Sequence, residues 1–409
     1  MPGKQFFLFA LRNIFRHRAR SAATLAAMSI GVASLILAGG FVKDIFTQLG
    51  EAIIHSQTGH IQITKQGYHE GKVRAPERFL IENSTDLKKE LMKSVPSAQI
   101  TTSRLNFSGT LNNGKRDLGI IGEGIEPDLE NRIGTYLQFV AGRALSDTDI
   151  DGIVVGQGVA KNLGLKLGDR VTLLATLSQG AVNTLDFEIV GIFQSFSKDF
   201  DARAIRIPLP SSQTLMDTSA AHMIVVMLDK TEATTEAKNK IQQILSGRNF
   251  DTTAWNSISD FYEKTVELYD RQFGVLQLII LVMVLLSVAN TINMSLFERT
   301  REFGTMQALG DRNGAVFKLI IIESFCLGLL GALLGMVLGS ISALAISAVG
   351  IPMPPPPNAN LGYSALIRLD AISVLAAGTI GFMACVLATI LPARRASQID
   401  IGEALRHGV

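Results

Sequence analysis

The chain has 409 residues, with 38 basic and 36 acidic side chains and a formal charge of +2. So even a balance gives no reason to expect nucleic acid as a partner. Charged residues are only 18% of the chain and mean hydropathy is +0.29, too apolar for an ordinary soluble protein, and the apolar residues fall in blocks. Both cysteines, Cys326 and Cys385, sit inside such blocks, so no disulfide framework is implied.

Residues 1–20 read as a basic, amphipathic segment, with Lys4, Arg12, Arg16, Arg18 and Arg20 and no acid among them. From 21 to 42 roughly 22 residues pass without a charge, enough to cross a bilayer as a helix. A cleaved signal peptide is the rival reading. The run is too long for a typical signal core and no small-residue cleavage site is evident, so a retained span is expected.

Residues 43–270 form a large segment that reads as mixed α/β. Gly59-His60-Ile61-Gln62-Ile63 and Leu185–Phe193 alternate as strands do. Val171–Leu174 and Met223–Leu228 suit buried strands, and Asp86–Ser94 and Thr231–Leu245 have helical composition. Asn112-Asn113-Gly114 reads as a hairpin turn. At the far end Tyr262, Val266, Tyr269 and Phe273 step by four and three into the next apolar run; Val42, Phe46, Leu49 and Ile53 leave the first run the same way. Such heptad seams predict two helices that continue beyond the bilayer and pack as a stalk.

Residues 271–297 make a second span, 298–318 a short charged loop, 319–349 a third span, 350–370 a Pro-rich loop and 371–393 a fourth; residues 394–409 form a tail. Lys and Arg cluster before the first span, between the second and third and after the fourth, which puts both termini and the 298–318 loop in the cytoplasm and the α/β segment outside. The expected fold is therefore an α-helical membrane protein with four transmembrane helices and a large extracytoplasmic α/β domain on a helical stalk. In the third span Gly331, Gly335 and Gly339 recur every fourth residue, predicting a close helix–helix contact in lipid, with a dimer face as one candidate. Glu323, near the cytoplasmic end with Lys318 behind it, reads as a snorkelling interfacial residue.

No catalytic or metal constellation emerges. Gly109 to Gly114-Lys115 resembles a phosphate loop, but Arg116 follows where Ser or Thr would hold magnesium, and the Asn-Gly turn implies a hairpin. Gly156-x-Gly158 lacks the third glycine of a dinucleotide site. His55, His60 and His69 fit no ligand spacing. There is no Gly-x-Ser-x-Gly and no His-Glu-x-x-His.

With four spans and a large insert after the first, the chain resembles the MacB/FtsX/LolC-LolE group of ABC transporter permeases, the type VII-like, mechanotransmitting group. Glu298-Arg-Thr-Arg-Glu-Phe-Gly through Ala308-Leu309-Gly310 is similar to the group's cytoplasmic loop, and Leu391-Pro-Ala-Arg-Arg-Ala-Ser through Glu403-Ala-Leu-Arg406 to its C-terminal signature. Ala10-Leu-Arg-Asn-Ile-Phe-Arg-His, Gly158 to Val171 and Arg206 to Gln213 resemble further segments. The resemblance implies a bacterial inner-membrane permease that dimerises with a second copy or a paralogue. It would be driven by two copies of an ABC ATPase and would hold no cofactor itself, with ATP and Mg on the ATPase. Glu298, Arg299, Arg301, Glu302, Phe303, Gly304, Met306, Leu309 and Gly310 would form the coupling element, with Phe303, Met306 and Leu309 as apolar knobs for the ATPase groove. Gln307 stands where many members carry a basic residue, removing the charge an ion pair to the ATPase would use. The expected cargo is lipid-linked, with membrane lipid and a periplasmic carrier or adaptor as partners. His60-Ile-Gln-Ile and Gly67-Tyr68 look more like the broader permeases than the dedicated lipoprotein-releasing ones. The alternatives are MacB-like efflux of small toxic molecules or peptides, and FtsX-like regulation of a cell-wall hydrolase.

Overall fold

The computed structural model describes residues 18–71, 75–177, 179–355 and 362–398. The basic segment before Arg18, the C-terminal stretch Glu403–Arg406 and Pro356–Pro357 lie outside them. Helix α1 (Arg18–Ile53) ends in a π-turn, Ile54–Thr58, and leads into β1 (Ile61–Lys65), α2 (Ser84–Ser94), β2 (Ala98–Asn112), β3 (Asp117–Ile125), α3 (Pro127–Ile133), β4 (Gln138–Gly142) and β5 (Gly152–Gly156). Then come α4 (Gln157–Leu163), β6 (Arg170–Thr176), β7 (Val182–Gln194), β8 (Ala204–Pro208), α5 (Leu209–Leu215), β9 (Met223–Leu228), α6 (Thr234–Ile244) and β10 (Phe250–Ala254). The chain continues through α7 (Asp260–Glu298), α8 (Thr300–Ala308), α9 (Asn313–Val349) and α10 (Ala371–Ala396).

The chain divides into two compact units, with boundaries inside α1 at Phe46 and inside α7 at Val266. Among the described residues of the helical unit, α1, α7, α9 and α10 are 4 helices long and apolar enough to cross a membrane. α1 has 36 residues and α7 39, so at about 1.5 Å per residue each outruns a bilayer core of about 30 Å without a break. Phe46 meets Tyr269 with ring centroids 6.5 Å apart. Phe41, beside the buried Val42, meets Phe273 with ring centroids 6.3 Å apart.

The glycine stripe of α9 is occupied from within the chain. A Cβ on Gly331 would lie 2.7 Å from Met28, one on Gly335 2.7 Å from Val32, and one on Gly339 3.0 Å from Ala33. The hydroxyl of Ser29 donates to the Gly331 carbonyl at 3.2 Å. A stripe that could have been a dimer face is thus the seat of α1: the glycines of α9 leave room for Met28 and Val32, and Ser29 and Ala33 bring the α1 backbone close.

The second unit holds a 10-stranded mixed sheet in the order β10-β1-β9-β2-β3-β8-β5-β7-β4, with β6 pairing β2 and β7. Pairs β3–β8 and β5–β7 are parallel and the rest antiparallel. Leu87, Leu91, Ala237 and Ile241 of α2 and α6 pack on Ile61, Ile63, Ile224 and Val226. Val159, Leu163 and Leu215 of α4 and α5 pack on Val155, Leu173, Phe187 and Ile205. β9 is buried along its whole length, as its unbroken apolar run requires. Leu49 and Ile53 are buried in this unit, and Tyr262 packs on Trp255 with centroids 4.7 Å apart.

Asn112–Gly114 turns β2 into β3, with Gly114 at φ +82° and the Asn113 side chain accepting from the amides of Lys115 and Arg116. The segment is a hairpin tip and not a phosphate cradle. Gly156 brings the start of α4 against the Asp201 backbone, where a side chain would not fit. Among the described residues no group of three or more His, Cys, Asp or Glu could hold a metal. Burial pushes His60 down to about 4, so it stays neutral while it accepts from the Leu228 amide at 3.2 Å.

The fit of α1 on α9 yields a stability test. Gly335→Leu would cost about 1–3 kcal/mol through overpacking. Gly274→Leu, with nothing within 4 Å of an added Cβ, would be silent. Thermal unfolding of the detergent-solubilised chain reads both.

Candidate coupling site

Helix α8 is short, and both of its ends are determined by the residues flanking it. Glu302 places a carboxylate in the first turn, where the helix dipole favours it. At the other end Gly310 adopts φ +102°, its amide donates to the Gln307 carbonyl at 3.0 Å, and the Asp311 amide donates to the Met306 carbonyl at 3.1 Å. That pair of bonds closes the helix with glycine in the left-handed position it alone takes without strain.

The helix has a distinct inner face. Thr300, Phe303, Gly304 and Gln307 are buried, at the spacing of one amphipathic stripe. Phe303 is 2% exposed and packs with Val316 and Ile320 of α9 and Ala393 and Ala396 of α10. The Gln307 amide donates to the Ser397 carbonyl at 3.2 Å and to Asn313 Oδ1 at 3.4 Å. The expectation that Phe303 is an outward knob is therefore corrected. With three apolar residues in nine, two faces could not be told apart by composition, and the wall of α9 and α10 claims Phe303. Leu309, at 85% exposure, is the apolar side chain that points away. Arg301, Thr305, Ala308 and Glu298 are exposed, and Met306 is half-buried.

Arg299 precedes the helix and is 4% exposed. Its Nη1 donates to Glu323 Oε2 at 2.7 Å, its Nε donates to Glu302 Oε2 at 3.0 Å, and the guanidinium lies 5.0 Å from the centroid of the Phe303 ring. Burial pulls its pKa down, the charges and hydrogen bonds of Glu323 and Glu302 together outweigh that, and the net is upward, so the cation is firmly held. Glu323 is thus the partner of a buried arginine and not a snorkelling residue, while Lys318 is exposed. A small hollow beside the pair is lined by the buried hydroxyls of Ser21, Thr24 and Ser324. The sequence carried one signal for this pair: a carboxylate inside an apolar helix needs a named partner.

The MacB-like periplasmic core domain matches residues 21–244, and the FtsX-like permease C-terminal domain matches residues 274–401. The chain belongs to the MacB/FtsX-like permease family. A macrolide export ATP-binding/permease protein MacB from Campylobacter jejuni is 26% identical over 96% of this chain, which spans 60% of that relative's length. The lipoprotein-releasing system transmembrane protein LolC from Neisseria meningitidis is 23% identical over 94% of this chain and 93% of its own. Among solved structures, the periplasmic region of MacB from Actinobacillus actinomycetemcomitans aligns with 53% of this chain and 95% of that one, at TM-score 0.36 and 18% identity.

In this permease the buried pair predicts a double-mutant cycle. Arg299→Met would cost about 3 kcal/mol, because it strands Glu323; Glu323→Leu would cost less, because Glu302 still holds Arg299; and the double variant would recover most of the loss at Arg299. Thermal unfolding of the four proteins gives the coupling.

Proposed function

We propose that the chain is a non-catalytic permease subunit, through which an ABC ATPase on a partner chain drives motion of the α/β domain. The observation that carries this reading is the two-sided character of α8. Its inner side is bonded and packed to α9 and α10, while Leu309 and Arg301 face away. A helix held in this way passes a push to the helices behind it, and its outer side offers one apolar knob and charge to a groove. In this reading ATP and Mg reside on two ATPase copies, a second permease completes the assembly in the inner membrane, and both termini and α8 face the cytoplasm.

The cargo we favour is lipid-linked, such as a lipoprotein or a lipid passed toward the outer membrane. The support is the full-length alignment with LolC, in which both chains match nearly end to end. Efflux of a small molecule is the second reading, favoured by the alignment with MacB.

Leu309→Asp would leave the chain folded and reduce co-purification of the ATPase by about tenfold, the usual size of an anchor effect. Phe303→Asp would instead abolish folding, by burying a charge beside α9 and α10. Undiminished ATPase binding by folded Leu309→Asp would overturn the assignment of α8. Release of a labelled lipoprotein from proteoliposomes, against extrusion of a macrolide, decides the cargo.

A further inference from the structure

The end of α1 lies within the α/β unit, and a buried helix end must find partners for its last carbonyls. Here each described bond is specific. Ala52 O accepts from the Ser56 hydroxyl at 2.6 Å, Ile54 O from the Gly59 amide at 2.9 Å, and Thr58 O from the Gln62 side-chain amide at 3.0 Å. The two carbonyls between, Ser56 O and Gln57 O, accept from two arginines of the sheet. Arg206 of β8 donates from Nη2 to Ser56 O at 3.0 Å, and Arg104 of β2 donates from Nη1 to Gln57 O. Both arginines are nearly fully buried, at 3% and 2% exposure.

Each arginine is held in turn. Arg104 forks onto Glu130 of α3, Nε to Oε1 at 2.7 Å and Nη2 to Oε2 at 2.8 Å. Arg206 Nε donates to Glu123 Oε2 at 2.8 Å, its partner in register on β3. Strands β2, β3 and β8 are consecutive neighbours in the sheet. Burying four charges is costly, and apolar residues would fill the space as stably. Two cations at a helix C-terminus also meet the negative end of its dipole. The turn they hold is a π-turn, a rare geometry concentrated at functional sites.

We infer that Arg104 and Arg206 are positioning residues for the transport cycle: a two-pronged clamp on the π-turn that forces the sheet to follow α1. This rests on the proposed ATP-driven motion. A lysine could not replace either arginine, because one guanidinium must serve a carboxylate and a carbonyl together in a fixed plane. Glu130 and Glu123 set the direction of the two forks, and Gln62 closes the turn behind them.

The test uses the full chain with its ATPase in nanodiscs, spin-labelled at Gln272→Cys and Lys115→Cys, both exposed positions; Cys326 and Cys385 are buried. The variants are Arg206→Lys and the charge-neutral pair Arg206→Met/Glu123→Leu, which leaves no stranded carboxylate. Amide exchange at Gly59 and His60 should accelerate about tenfold in the neutral pair, with Ile153–Val155 unchanged as a sign of an intact core. With ATP turnover retained, the nucleotide-driven change in label distance should be present in the native chain and lost in both variants. A purely structural role would lower the melting temperature and leave that distance change in place, and this outcome overturns the clamp. No distance change in the native chain overturns the ATP-driven reading itself, and the clamp with it.

Discussion

Both units are organised around guanidinium groups that have been taken out of water. A buried arginine stays charged, so it must spend its donors on fixed acceptors or the fold fails. In the helical unit Arg299 ties the start of α8 to Glu323 of α9 and lies over Phe303. In the α/β unit Arg104 and Arg206 tie the last turn of α1 to three strands and a helix. In each case the arginine sits where a helix ends, which is where a chain would otherwise slide or fray.

Between these fixed points the membrane helices are held by shape. α1 seats on α9 through Gly331, Gly335 and Gly339, and α10 approaches through Gly378 against Met336 and Gly381 against Val32. In lipid no hydrophobic force separates such contacts from contacts with acyl chains, so closeness of approach decides them. α7 is different: Val284, Val288, Ile292 and Leu296 are its buried apolar side chains, one per turn, while Leu278, Val282, Met283 and Leu286 are exposed. It is the helix with the narrowest seam, and it runs directly into Arg299 and α8.

What could be read from the sequence divides along physical lines. Long charge-free runs need only length, so the four spans were legible. β9 and the Asn-Gly hairpin were legible because burial and turn chemistry are local. β3 was not, since Asp117-Leu-Gly-Ile-Ile-Gly-Glu-Gly is glycine-rich and glycine argues against a strand. Its glycines are there for neighbours, Gly122 beneath the Phe107 ring and Gly124 beside Ser212. The inward turn of Phe303, the seat of the α9 glycines and the partner of Glu323 were equally out of reach, because each depends on a helix remote in the chain.

The arginine networks lay furthest from view. Arg206 reaches Ser56 across 150 positions, and nothing in either neighbourhood announces the other. A buried ion pair contributes little stability that leucine and methionine could not match, so stability alone does not account for it. An apolar contact is non-directional, so neighbouring side chains can repack around a small sliding displacement. A forked guanidinium is directional: shear that stretches or tilts its charge-assisted bonds weakens them in a dry site, where no water replaces them. Joints made this way carry displacement faithfully, which is what a permease requires if it is worked from a small helix at one end of a long one.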